Sequence, residues 1–371
     1  MPSQFLERAE KRVLINSPPD FIYKTGLAEW KGNKGQIVDY KRYTDHIWDV
    51  VVIGTGMGGG TTGYALAKAG MSVLFLEKGS ATTDTDRVNA GMFAETFWQG
   101  IKRPEAIRPV LRQSGRYWQD IEDISSGKPH RFIPFIGCGT GGSTRIYGAA
   151  LERLTRSDFA PGQNFFHSSE ADLPDSWPFA YDELLPYYRE AEGIFEVRGT
   201  KDNLRKDEIC EYLEPGPLSD TGLELFHYFQ RKGLNPYRLP VGLKLGTPCK
   251  GCQSMICIQN CKMDSFNACI MPAQMSYNAK ILHDCEVLKL RAKEGKVEAA
   301  ECLIDGQRIL IRGGIFILAA GALESPKILL NSRSDTYPFG LGNENDLVGR
   351  FLMRHYIDLI AIKPHRSLGM A

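Results

Sequence analysis

A doubly wound α/β fold with a parallel sheet is what this chain predicts, on three observations. Val50-Val51-Val52-Ile53 is a short apolar, β-branched run of the kind that forms a buried parallel strand. It ends on Gly54-Thr-Gly56-Met-Gly58-Gly59, which fits G-x-G-x-x-G and opens a helix-forming stretch, Thr61 to Lys68, closed by Gly70. A second apolar run, Ser72 to Leu76, then delivers an acid, Glu77, 18 residues beyond Gly59. Strand, glycine turn, helix, strand and acid in that order form a Rossmann-like dinucleotide fingerprint.

Each part has a physical task. Gly54 permits the tight turn, Gly56 lets the backbone approach a pyrophosphate, and Gly59 lets helix and strand pack closely. The helix start offers unpaired N–H groups and partial positive charge to phosphate. Glu77 can accept hydrogen bonds from a ribose, and its charge favours a free 2′-hydroxyl over a 2′-phosphate.

A length of 371 residues suggests two domains, or one large α/β unit with an insertion. Basic and acidic residues balance at 45 and 44 without clustering, which argues against nucleic acid as the main partner. No apolar run is long enough to cross a bilayer, and the first residues lack the apolar stretch of a secretory signal. Cytoplasm is therefore the expected compartment, although export together with a partner would leave the same signature.

The remaining elements follow in order. Residues 1–48 are polar, with Pro18-Pro19 and a Lys/Gly-rich stretch, and read as an N-terminal surface extension. Residues 84–130 show no clear period. A glycine cluster, Gly137-Cys-Gly139-Thr-Gly141-Gly142-Ser143, precedes Thr144 to Leu154. Trp177 to Glu192 reads as a helix entry in which Asp182 caps a short first turn and Pro186 starts the main helix. Strands are expected at Ala279–Leu282 and Glu286–Leu290. A hairpin of Val297–Ile304 and Gln307–Ile311 turns at Asp305-Gly306. Ile315 to Ala320 reads as a separate buried strand ending in Gly321, and a helix follows from Glu324 to Leu330.

Four blocks carry a resemblance. They are the fingerprint above, GTGGSTRIYGAALERLTRSDF (139–159), WPFAYDELLPYYREAE (177–192), and FILAAGALESPKILLNS (316–332) with LVGRFLMRH (347–355) behind it. Together they resemble the glucose–methanol–choline (GMC) oxidoreductase family. The resemblance implies FAD as the dinucleotide. By position, Gly54, Gly56, Gly58 and Gly59 would hold the pyrophosphate and Glu77 the adenosine ribose. Gly141, Gly142 and Ser143 would run along the flavin side, Val287 would offer backbone to adenine, and Gly321 would pass close to the cofactor. The family oxidises an alcohol by hydride transfer to flavin N5 while a base takes the hydroxyl proton. An asparagine common in the family's flavin loop falls here at Ile146 or Tyr147. The family's catalytic histidine lies in a C-terminal block beyond the residues matched here, so no catalytic base is named among His130, His167, His227, His283 and His355.

Of nine cysteines, Cys249, Cys252, Cys257, Cys261 and Cys269 fall within 21 residues, and such crowding suggests a metal centre more than disulfides in a reducing compartment. The x4 and x3 spacings from Cys252 to Cys261 resemble the catalytic subunits of flavin-dependent fructose and glucose dehydrogenases, which carry an iron–sulfur cluster. Lys262 stands where that group commonly has proline. The set Cys249, Cys252, Cys257 and Cys261 therefore reads as iron–sulfur ligands, as a tetrahedral zinc site, or as packed thiols.

The expected organisation is an FAD-binding domain from 49–160 and 240–345, with an inserted, incomplete α+β substrate domain from 161–239 and 346–371. Three functions fit this organisation. The first is a flavin dehydrogenase for a sugar, polyol or other small alcohol, passing electrons through the cysteine centre. The second is an oxidase of sterols or long-chain alcohols. The third is one half of a split enzyme, or a truncated chain that binds nucleotide without turnover, needing a partner chain that supplies the C-terminal catalytic region or accepts electrons.

Overall fold

The computed structural model describes residues 40–81, 91–98, 106–164, 174–205, 209–244, 252–257 and 259–353. The described residues from Tyr43 onward form one compact unit. Residues 1–39 of the N-terminal extension, His167, His355 and Cys249 lie outside the described residues.

A six-stranded sheet in the order β7-β2-β1-β10-β9-β8 organises this unit. Its first strands are β1 (Ile47–Ile53) and β2 (Val73–Leu76), joined by helix α1 (Met57–Lys68). The later strands are β7 (Lys280–Leu282), β8 (Glu286–Lys293), β9 (Lys296–Ile304) and β10 (Gln307–Leu318). The core is parallel: Val51 pairs with Leu74 on one side and Phe316 on the other, and Phe75 pairs with Ile281. β8, β9 and the first half of β10 are antiparallel. The predicted α/β class with a parallel sheet is therefore what forms.

Val50, Val52, Val73 and Phe75 project to one face, where Ala67 of α1, Ala273 of helix α5 (Met271–Tyr277) and Ile270 just before it cover them. Fully buried side chains of this size each stabilise the fold by about 1.5–3 kcal/mol, which is why the run is β-branched and uninterrupted. Gly63 is needed for this layer, because a Cβ there would lie 2.3 Å from the Phe75 ring.

The structure corrects several expectations. Helix α1 begins at Met57 and not at Thr61. The glycine run reads as loop by propensity, yet it packs so tightly that helix wins: a Cβ at Gly59 would meet the Gly54 oxygen at 2.1 Å, and one at Gly60 the Ser265 Oγ at 1.9 Å.

The hairpin's second strand and the separate strand at Ile315 are one strand, β10. Arg312-Gly313-Gly314 reads as a break, but a Cβ at Gly313 would meet Val51 Cγ2 at 2.7 Å, so glycine lets β10 swing from β9 onto β1. Ile315 is 46% exposed, because β9 pairs with β10 only up to Arg312. The hairpin turn itself forms at Asp305-Gly306, both at positive φ.

Helix α3 (Tyr181–Ile194) is continuous, with Pro186 inside it. Asp182 is not its cap; Asp182 pairs with Arg156, while Glu183 accepts from the Ala180 N–H at 2.8 Å. A helix starting at Gly321 (α6, Gly321–Asn331) replaces the shorter one expected from Glu324. Helix α2 (Ile107–Gln113), the short pair β3 (Ile121–Asp123) and β4 (His130–Phe132), the pair β5 (Val197–Arg198) and β6 (Val241–Gly242), and helix α4 (Asp220–Arg231) complete the named elements. Arg153 clamps α3 to the chain after the glycine cluster through two nitrogens on Glu192.

Candidate functional site

The site lies at the carboxyl ends of β1, β2, β7 and β10, where the turns of a doubly wound sheet leave a crevice. The fingerprint glycines divide by what surrounds them. Gly54, at φ +95°, has Ala319 O only 2.5 Å from where a Cβ would stand, and Gly59 abuts Gly54. These two exist for chain-to-chain packing. Gly56 and Gly58 face open space, with nothing within 4 Å of where a Cβ would stand. Gly56 caps α1 without any side-chain hydrogen bond, so the first N–H groups of the helix have no side-chain acceptor there.

The glycine cluster folds onto this turn. A Cβ at Gly142 would meet Gly56 Cα at 2.9 Å, and Gly141 and Gly142 both hold positive φ before a single 3₁₀ turn, Gly142–Arg145. Ser143 Oγ accepts from the Gly137 N–H at 3.0 Å, which closes the loop on itself. The Gly141 N–H donates to Thr55 Oγ1 at 3.0 Å, and Thr55 Oγ1 donates to Glu77.

Glu77 is the hub of this arrangement. Its Oε2 accepts from the N–H and hydroxyl of Thr55, and its Oε1 accepts from the N–H groups of Gly79 (2.8 Å) and Gly139 (3.1 Å). A carboxylate has about four acceptor positions, and all four are taken by protein donors. Burial pushes its pKa up, while the donors from Thr55, Gly79 and Gly139 oppose that shift. Glu77 thus joins three loops, and accepting from a ribose would require it to release one donor. Next to it, the Cys285 N–H donates to Glu77 O at 2.9 Å, which stitches the strand of Val287 to the end of β2. Gly321, at φ +84°, opens α6 and faces open space.

The predicted residues Gly54, Gly56, Gly58, Gly59, Glu77, Gly141, Gly142 and Ser143 are therefore adjacent. Gly321 is reached through Ala319, and Val287 through Cys285. Two other members carry no signal in the sequence. Ser265 Oγ donates toward the carbonyls of Thr55 (2.8 Å) and Gly56 (3.0 Å), bracing the turn from below. Arg145 pairs with Asp264 at 2.9 Å, both buried, with the Arg145 guanidinium 5.3 Å from the Phe266 ring centre. Burial raises the Asp264 pKa and Arg145 pulls it down. Nε and Nη2 of Arg145 are buried without hydrogen-bond partners.

Cys252, Cys257 and Cys261 pack into one buried cluster with Met255, and the sulfurs of Cys257 and Cys261 are 3.3 Å apart. Among the described residues no three His, Cys, Asp or Glu side chains converge as a metal-ligand set. Cys269 sits apart, fully buried against Thr61 of α1. Lys262 is buried among the cysteines, and its ammonium donates to the carbonyls of Cys252 (2.7 Å), Met255 (3.0 Å) and Arg145 (3.2 Å). It ties the cysteine loop to the glycine loop. Burial raises the Cys257 thiol, but N–H donors from Lys262, Gln259 and Cys261 and the Cys261 side chain carry it below the ordinary value.

The histidines divide likewise. His283 makes a 2.8 Å hydrogen bond with Thr140 Oγ1, and burial pushes its pKa down. His130 stacks on Phe132 in the small β3–β4 pair. No helix among the described residues is long and apolar enough to cross a membrane.

Comparison with known proteins supports the resemblance. Residues 49–158 match the family described as FAD dependent oxidoreductase, and residues 233–357 match GMC oxidoreductase. Curated relatives include 6'''-hydroxyparomomycin C oxidase of Streptomyces lividus, 27% identical over 83% of this chain and 54% of that protein. The 2-methyl-1,2-propanediol dehydrogenase of Mycolicibacterium austroafricanum is 26% identical over 84% of this chain and 56% of its own length. The fructose dehydrogenase large subunit of Gluconobacter japonicus is 27% identical over 83% and 58%. The chain spans about half the length of the curated relatives it matches.

Proposed function

We propose that this chain, which carries the FAD dependent oxidoreductase and GMC oxidoreductase signatures, holds FAD in an enzyme that oxidises the CH–OH group of a small hydroxylated molecule such as a sugar or polyol. The observation that carries this reading is the open ground over Gly56 and Gly58 at an uncapped helix start, beside glycines that are sterically compelled. A pyrophosphate fits there, because backbone N–H groups and the helix dipole favour an anion and no side chain intervenes.

When bound, FAD supplies hydride acceptance. The residues of the chain bind and orient it. Gly56 and Gly58 let the pyrophosphate approach, Gly54 and Gly59 pack the turn that presents them, and Gly141, Gly142 and Ser143 border the flavin side. Glu77 holds the loops and, by giving up one donor, accepts from ribose. Val287 flanks the adenosine end, and Gly321 lets the chain pass close to the cofactor. Residues 49–160 and 240–345 form the FAD-binding part, and 161–239 and 346–371 contribute to the substrate side.

Cys249, Cys252, Cys257 and Cys261 form the candidate metal centre. The cysteine spacing that resembles the fructose and glucose dehydrogenase catalytic subunits favours an iron–sulfur centre, and the relative named as a large subunit favours a partner chain. Four thiolates would also suit zinc. Lys262 would hold the cysteine loop against the glycine loop in either case. The dehydrogenase reading rests on that centre, and the oxidase reading rests on relatives named as oxidases.

The test is titration of purified chain with FAD, followed by flavin absorption and by iron, zinc and acid-labile sulfide on the same sample. Stoichiometric FAD binding is expected. A chain that binds no flavin under any reconstitution condition refutes the proposal.

A further inference from the structure

Four charged side chains close a ring that the dinucleotide reading does not use. Lys78 Nζ lies 3.0 Å from Glu324 Oε1 and 3.2 Å from Glu286 Oε1. Lys327 Nζ lies 3.0 Å from Glu324 Oε2 and 3.5 Å from Glu286 Oε1. The signs alternate around the ring and the net charge is zero. All four side chains are mostly buried, between 16% and 25% exposed. Tyr117 adds a hydroxyl donor to Glu324 Oε1 at 2.7 Å, and Gln119 accepts from Lys78 at 2.7 Å.

Isolated surface ion pairs contribute little, because solvent screens them and two flexible chains must be ordered. The ring differs in both respects. It is shielded, and each carboxylate is held by two ammonium groups.

Its placement is informative. Lys78 leaves the end of β2 directly after Glu77. Glu286 opens β8 directly before Val287. Glu324 and Lys327 stand in the first two turns of α6, which starts at Gly321. Each of the three elements tied by the ring therefore carries a residue of the proposed dinucleotide site, and two of them, Glu77 and Val287, belong to its adenosine end. Lys78 and Glu324 are 246 residues apart in the chain, so local structure cannot set their spacing.

We propose that the ring of Lys78, Glu324, Lys327 and Glu286 is a positioning device that fixes the adenosine-binding half of the site. The inference rests on the FAD reading. The ring fixes the distance between Glu77, Val287 and Gly321, so the three elements stand in place before the dinucleotide arrives. Pre-organisation of this kind raises affinity by removing the ordering cost from binding. Lys78, neutralised by two carboxylates, offers no free charge for a 2′-phosphate.

The test compares Glu324→Gln with Glu301→Gln. Glu301 is a control outside the ring: it is a buried carboxylate on β9 that pairs with Arg291 of β8 and Arg308 of β10 and touches none of the four ring members. ADP and FAD titrations by calorimetry are run on apoprotein of the parent and both variants, with thermal melting of each. We expect Glu324→Gln to weaken ADP and FAD binding at least tenfold, and Glu301→Gln to leave both within twofold even where it lowers the melting temperature as much. Equal affinities in the two variants, or losses that only follow melting temperature, overturn the proposal. Should Glu324→Gln not fold, Lys327→Met, the more exposed member of the ring, carries the same comparison. A parent protein that binds neither ADP nor FAD would instead overturn the dinucleotide reading on which this one rests.

Discussion

Replacing Gly58 by alanine separates a cofactor role from a packing role within one fingerprint. A Cβ at Gly58 meets nothing within 4 Å, whereas a Cβ at Gly59 lies 2.1 Å from a backbone oxygen. Gly58 is the second residue of α1. Alanine there reduces the freedom of the unfolded chain and favours helix, so the apoprotein should gain up to about 0.5–1 kcal/mol. Gly59→Ala must push the β1–α1 turn apart, and overpacking of that kind costs about 1–3 kcal/mol. If the open ground over Gly58 is where the pyrophosphate approaches, the added methyl excludes it. FAD affinity should then fall at least tenfold, or about 1.4 kcal/mol. The assay is thermal or urea melting of the apoprotein beside FAD titration, for parent and both variants. Higher apoprotein stability with lower FAD affinity in Gly58→Ala is the expected signature, because packing damage cannot produce it. Undiminished FAD binding in Gly58→Ala would refute the assignment of that space to the cofactor.

Four further outcomes are expected. Glu77→Gln turns an amide nitrogen toward backbone donors, so it should lower apoprotein stability by about 1–3 kcal/mol in urea melts even without cofactor; no change would mean that the hub is unimportant. Arg145→Met leaves Asp264 buried and unpaired, which should cost about 3–5 kcal/mol, and adding Asp264→Leu should recover most of it in a double-mutant cycle. Burial would raise the Glu324 carboxyl, but Lys78 and Lys327 hold it down at about 2. A depressed carboxylate stabilises above its ordinary value of 4.5 and loses that contribution as pH falls toward 2. Acid unfolding between those limits should therefore be steeper in the parent than in Glu324→Gln. Finally, if the proposed cysteine centre holds iron or zinc, Cys257→Ser should abolish it while Cys269→Ala retains it; equal metal content in the two would remove Cys257 from the proposed ligand set.

The βαβ unit, the fingerprint and the Asp305-Gly306 hairpin were legible because each is a local pattern. Strand pleat, helix period and turn conformation are set by residues a few positions apart, and Val50–Ile53, Lys68 and Gly306 carry that information directly. The glycines could be identified as a group for the same reason. Their division into packing and open positions could not, since it depends on Ala319, about 265 residues beyond Gly54 in the chain and adjacent only in space. The same limit hid the fusion of two expected strands into β10. Gly313 reads as a break until Val51 is seen packed against it.

The sequence by itself determined that the chain builds a parallel sheet with a dinucleotide turn, and it marked which cysteines crowd together. Tertiary structure alone decided that Glu77 commits its four acceptor positions to Thr55, Gly79 and Gly139. It also separated Cys269 from the other cysteines and closed a charge ring through Lys78, Glu286, Glu324 and Lys327. The physical reason is range. Periodicity and backbone propensity act over a few residues, whereas hydrogen bonds and ion pairs act over a few ångströms, and only the folded chain converts one kind of distance into the other.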